Sequence, residues 1–181
     1  MRMSQGQEGP RICVLGLGNL MRTDDAAGML ALRRLTGDSR FPRDVEVVEG
    51  ETLGLDLLHD VYGVSHLLVL DAVDTGAAAG TLTRFQGQEV IDLPTSKSVH
   101  LLGLSDLIQV LRLMDAPPME IVLLGVQPES TEWGTVLTAA VEAAQEGLVE
   151  AALVQLGDWR AILRDAALGA AGNSVRELVA T

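Results

Sequence analysis

Two adjacent carboxylates, a third inside an apolar run and one histidine are the residues of this chain best suited to chemistry. Asp24 and Asp25 follow Gly16-Leu17-Gly18-Asn19 and Thr23. Asp71 comes directly after His66-Leu67-Leu68-Val69-Leu70, and His100 stands in Ser98-Val99-His100-Leu101-Leu102-Gly103. A carboxylate late in an apolar strand is expensive to desolvate unless it is paired or meets a cation. Two carboxylates and an imidazole form a hard-to-borderline donor set that suits nickel or zinc, and three protein ligands leave positions open for water or a substrate group. Each residue also has a plain structural reading. Asp71 can accept bonds from loop amides, and a single histidine in a loop usually does nothing special. Either Asp24 or Asp25 can cap the helix that follows. We expect one of them to cap and the other to face a cleft.

The elements around these residues read as alternating strands and helices. Arg11 to Leu15 is a buried strand, and a helix runs from about Asp25 to Leu35 with Met29, Leu32 and Leu35 on one face. Val45 to Glu49 is a second strand, and Thr52 is placed to cap a second helix through Leu58. His66 to Val73 is a third strand, and Thr81 to Phe85 alternates as an exposed edge strand. Gln86 to Val99 reads as a long polar loop, which carries the chain to His100 and is the expected mobile element beside a cleft. Leu104 to Met114 is an amphipathic helix, Glu120 to Val126 another buried strand, and Thr138 to about Leu156 a long helix. His59 belongs to a surface helix, and His66 opens its strand at the amino end.

This alternation predicts an α/β fold: a three-layer sandwich with a mostly parallel, twisted sheet of about five strands flanked by helices. A single domain is expected over residues 11–157, with flexible tails at 1–10 and 158–181. Ligands of such sheets bind beyond the carboxyl ends of the strands. Asp24 and Asp25 follow strand one, Glu49 ends strand two and Asp71 lies late in strand three, so the acidic residues gather at that rim.

Composition removes several function classes. The 181 residues carry a net charge of −12, with 13 Lys and Arg, whereas a nucleic-acid binder needs a basic surface. The one cysteine, Cys13, lies mid-strand and reads as a small buried apolar residue. No apolar run approaches the ~20 residues of a membrane span, and Met1 to Pro10 lacks an apolar signal segment. A cytoplasmic protein is expected, with no nucleic-acid or membrane partner. Gly16-x-Gly18 lacks the third glycine of a dinucleotide fingerprint, since Met21 stands there, and no Gly-Lys-Ser/Thr follows. No nucleotide cofactor is expected. No Gly-x-Ser-x-Gly elbow supplies a serine nucleophile.

Taken together, Gly16-Leu17-Gly18-Asn19-Leu20 with Asp24-Asp25 and Gly28, Leu70-Asp71-Ala72, His100-Leu101-Leu102-Gly103-Leu104-Ser105-Asp106 and Gly125-Val126-Gln127-Pro128-Glu129 resemble the hydrogenase maturation endopeptidases. The resemblance runs from about Arg11 to Leu156. It implies a protease that removes a C-terminal extension from the nickel-loaded large-subunit precursor of a nickel-iron hydrogenase. It further implies that Asp25, Asp71 and His100 are the metal ligands and the catalytic residues, with the nickel supplied by the precursor. Gly16, Gly18, Asn19, Asp24, Glu49 and Thr52 would support the cleft. Glu49-Gly50-Glu51-Thr52 departs from the family's Asp-Gly-Gly-Thr-like stretch, and Ala26 stands where many relatives have glycine. A monomer is expected. The alternatives are a peptidase or other hydrolase with its own metal, or a non-catalytic maturation chaperone or binding module.

Overall fold

The apolar runs become five strands: β1 (Ile12–Leu17), β2 (Glu46–Glu51), β3 (His66–Ala72), β4 (Leu82–Gln86) and β5 (Glu120–Val126). The computed structural model describes residues 9–51, 55–94 and 99–179. β1 and β3 are buried at every position, as strands covered on both faces must be. The sheet order is β2-β1-β3-β5-β4. The pairings of β1 with β2 and β3, and of β3 with β5, are parallel, and β4 joins β5 antiparallel. β4 is the exposed edge strand its alternating sequence predicts.

The helices are α1 (Ala27–Gly37), α2 (Leu58–Val61), α3 (Gln88–Ile91), α4 (Val99–Leu113) and α5 (Ala139–Val179). α1 and α5 pack on one face through Leu32, Leu35, Leu148, Leu156 and Trp159, against Val14, Leu68, Leu70 and Val122. α4 covers the other face with Leu104, Leu107, Ile108 and Leu111, against Cys13, Leu15, Leu67, Val69 and Leu123. Successive strand residues point to opposite faces. Asp71 shares the parity of Leu67 and Val69, so the strand directs it to the α4 side.

Three expectations need correction. The stretch from Gln86 to Val99 is not one loop: its start folds as α3, and α4 begins at Val99, so His100 stands in the first turn of a helix. Residues 95–98 lie outside the described residues. The first helix is split into a 3-10 turn, Thr23–Ala26, and α1. The last helix does not end near Leu156. It continues to Val179, and Trp159, inside the expected tail, is 1% exposed.

Trp159 meets His66 edge-on, with ring centroids 5.2 Å apart. Burial holds the His66 imidazole below its ordinary value of 6.5, against an upward pull from Glu120. The unfolded chain therefore takes up this proton more readily than the folded one. The stabilising contribution is full above pH 6.5 and is lost as pH falls below it. The urea midpoint should drop between pH 7.5 and 5.5, and less steeply in His66→Gln. Equal slopes would show that this ring does not govern the loss.

One helix–sheet contact is close enough to demand glycine. A Cβ on Gly28 would lie 2.2 Å from the carbonyl oxygen of Leu70 and 2.4 Å from that of Leu17. These are backbone atoms at the ends of the two central strands, so neither can rotate away. Gly28→Ala must push α1 off the sheet, at about 3 kcal/mol. The melting temperature should fall by about 10 °C; an unchanged value would refute the close approach.

Candidate functional site

β1 leads to β2 on one side of the sheet, and β3 lies on the other. A reversal of this kind opens a crevice at the carboxyl ends of the flanking strands. Asp25 follows β1 in the 3-10 turn, and Asp71 is the next-to-last residue of β3. α4 brings His100 over the same end of the sheet. Its Nε2 lies 3.2 Å from Asp25 Oδ1, with side-chain exposures of 3% and 13%. Asp71 is fully buried, and its Oδ1 accepts the Ala72 N–H at 2.8 Å.

Burial acts to lower the His100 pKa. The hydrogen bond to Asp25 and the negative charges of Asp71 and Asp25 outweigh it, against a smaller opposing effect of Arg22. The net shift is upward from 6.5. His100 therefore bonds one carboxylate directly and feels the charge of a second, and both favour its cationic form. Asp25 and Asp71 thus both act on the charge of His100. Among the described residues, no three His, Cys, Asp or Glu side chains stand close enough together to hold a metal ion.

The two adjacent carboxylates have separate roles. Asp24 is fully buried. Its Oδ2 accepts the N–H groups of Glu129 and Ser130 at 2.8 and 3.0 Å and the Thr138 hydroxyl at 2.9 Å. Its Oδ1 accepts the Thr138 N–H at 2.7 Å. Thr138 precedes α5, and its carbonyl accepts the Glu142 N–H. Asp24 therefore caps α5, across the fold, rather than its own helix. A carboxylate there is favoured by the unpaired N–H groups and dipole of the helix start.

Further bonds tie the same two segments. Thr23 N–H and Gly134 N–H donate to the carbonyls of Gly134 and Met21, Thr23 Oγ1 donates to the Ser130 carbonyl, and Arg22 Nε to that of Thr131. Asn19 accepts the Met21 N–H and shapes the turn. Gly18, at φ +135°, lies where a Cβ would come 2.0 Å from the Asp25 carbonyl. Gly16 packs against Leu32. These residues build the turn that presents Asp25.

Glu49 is elsewhere. β2 continues past it to Glu51, and its carboxylate makes a two-pronged ion pair with Arg33 of α1 at 2.9 and 3.0 Å. Thr52 lies outside the described residues. Gln127, quoted above only as part of a motif, has a role that sequence reading missed. Its buried amide accepts from Thr75 and Ala77 N–H and donates to Asp74, fixing the loop after β3. The available signal was a polar residue directly after a buried strand, before proline.

Known proteins resemble this chain in sequence and fold. The family model described as hydrogenase maturation protease matches residues 29–155. The hydrogenase 2 maturation protease of Escherichia coli is 40% identical over 148 residues, covering 81% of this chain and 90% of its own. The hydrogenase expression/formation protein HoxM of Azotobacter vinelandii is 36% identical over 152 residues, covering 82% and 73%. Among solved structures, the hydrogenase maturating endopeptidase HybD from E. coli superposes with a TM-score of 0.78 at 39% identity, over 82% of this chain and 93% of that one. The NiFe hydrogenase maturation protease HybD from Thermococcus kodakarensis gives 0.67 at 27% identity, over 78% and 96%. The matched region contains β3 with Asp71, α4 with His100 and the loop clamped by Asp24, and on this agreement of sequence and fold the chain belongs to the hydrogenase maturation protease family of peptidases.

Proposed function

We propose that this chain removes the C-terminal extension of a nickel-loaded nickel-iron hydrogenase large-subunit precursor, and that Asp25, Asp71 and His100 dock onto the precursor's nickel. The observation that carries this reading is the 3.2 Å approach of His100 to Asp25, with Asp71 acting on the same imidazole, at the strand switch point. Carboxylates and imidazole are donors that nickel accepts. The ion arrives with ligands of the precursor, so this chain need only complete its coordination rather than cage it. Proton release from His100 frees the imidazole nitrogen for that bond.

Docking places the scissile peptide beside the cleft. A water loses a proton to a carboxylate of the trio, or is activated at the precursor's metal, and adds to the peptide carbonyl carbon. The carbon–nitrogen bond then breaks and the leaving amine takes a proton. No covalent enzyme intermediate is involved. The chain acts as a monomer in the cytoplasm. The absence of any helix long and apolar enough to cross a membrane among the described residues is compatible with that location.

The test is the intact mass of the precursor after incubation with this protein, with and without nickel. Loss of one defined C-terminal peptide only from the nickel-loaded form is expected. Cleavage regardless of nickel would replace this reading with that of a peptidase holding its own metal, and stable binding without cleavage would replace it with a maturation chaperone.

A further inference from the structure

The chain has two tryptophans, and the fold treats them oppositely. Trp159 is 1% exposed in the core, whereas Trp133 is 77% exposed. Leaving so large an apolar surface in water forfeits the gain that burial would bring. Trp133 does not stand alone. Backbone hydrogen bonds from Gly134 N–H to the Met21 carbonyl and from Thr23 N–H to the Gly134 carbonyl lay residues 133–135 alongside 21–23. Met21 is thereby set beside Trp133, and it is 56% exposed; Val136, at the other end of the same segment, is 76% exposed. An apolar group of this kind, bordered by the exposed Glu129, Glu132 and Thr135, has the anatomy of a protein interface: an apolar centre with a polar rim.

Two features connect this patch to the peptidase site. Met21 is four residues before Asp25, at the start of the turn that presents it. The patch is also built on a rigid base, because the Asp24 carboxylate holds the Glu129, Ser130 and Thr138 N–H groups. A partner pressing on Trp133 meets a surface already in its binding shape, so little ordering entropy is lost on association.

We infer that Met21, Trp133 and Val136 are the surface that seats the large-subunit precursor, through an apolar patch bordered by basic side chains that answer Glu129 and Glu132. This rests on the function proposed above and adds to it the place where the partner docks. Trp133 is the anchor, as tryptophans are at the centres of interfaces. Its task is to hold the precursor so that its extension reaches Asp25 and His100, not to take part in bond cleavage.

The test is steady-state processing of the nickel-loaded precursor that the wild-type chain cleaves, followed by intact mass. Trp133→Ser should raise KM about thirty-fold, the loss typical of an interface anchor, with kcat within about two-fold and the melting temperature unchanged. Trp133→Phe should recover most of the loss, and Met21→Ser should raise KM by a smaller factor. The reference variant is Leu113→Ser with Met119→Ser, equally exposed apolar residues at 85% and 84% but placed at the last residue of α4 and just before β5, away from the site. It should process normally. An unchanged KM in Trp133→Ser, a fall in kcat alone, or an equal KM rise in the reference variant would overturn the docking surface while leaving the peptidase function standing. A wild-type chain that cleaves no nickel-iron hydrogenase precursor would overturn both.

Discussion

Asp71→Asn should leave the protein folded and reduce precursor processing by at least about 1,000-fold, a loss of about 4 kcal/mol in transition-state stabilisation. Asparagine keeps the size of the side chain and an oxygen able to accept the Ala72 N–H, the bond that Asp71 Oδ1 makes at 2.8 Å. What it removes is the charge. That charge is one of the influences raising the His100 pKa, and a neutral amide is a much poorer donor to a nickel ion than a carboxylate. Single-turnover cleavage measured by mass, with near-ultraviolet circular dichroism as the check on folding, separates the two effects. A variant that folds and retains full activity would remove Asp71 from the site.

The neighbouring pair should split in the opposite sense. Asp24→Ala is expected to cost about 4 kcal/mol in stability and to lower the melting temperature by about 12 °C. The carboxylate accepts four hydrogen bonds, three from backbone N–H groups and one from a hydroxyl. Each donor stranded away from water costs about 1–3 kcal/mol, and movement of the loop toward solvent recovers part of the total. Asp25→Ala removes a side chain bonded to His100 at the rim and should change stability by less than half as much, while abolishing processing. Calorimetry on the two variants settles it. Equal losses of stability would contradict the assignment of Asp24 to structure and Asp25 to chemistry.

The division between these two residues could not be read from the sequence, because both carboxylates suit a helix start and the partners of Asp24 are more than 100 positions away. Much else was legible. Apolar runs without alternation marked β1, β3 and β5 as central strands, and the alternation from Thr81 to Phe85 marked the edge. Asp71 stood out because a carboxylate next to such a run needs a partner. His100 was placed in a loop, whereas it stands in the first turn of α4. The polar stretch before it masked the start of α4, whose buried leucines become periodic only further along. The last helix was expected to end near Leu156, yet Trp159 finds a buried place against His66, and such packing outweighs weak local propensity. Glu49 forms an ion pair with Arg33 of α1, a partner that no local pattern reveals.

The bonds from Asp24 span 105, 106 and 114 positions of the chain. Strand β5 and the start of α5 must both be in place before the turn bearing Asp25 is fixed. During synthesis, the amino-terminal half therefore emerges with its acidic pair but without the frame that aims it. Contacts of such separation form late, after the loop between them has closed. A nascent chain released before Thr138 should have no organised cleft, so a prematurely terminated copy of this protease poses no hazard to an unfinished hydrogenase subunit.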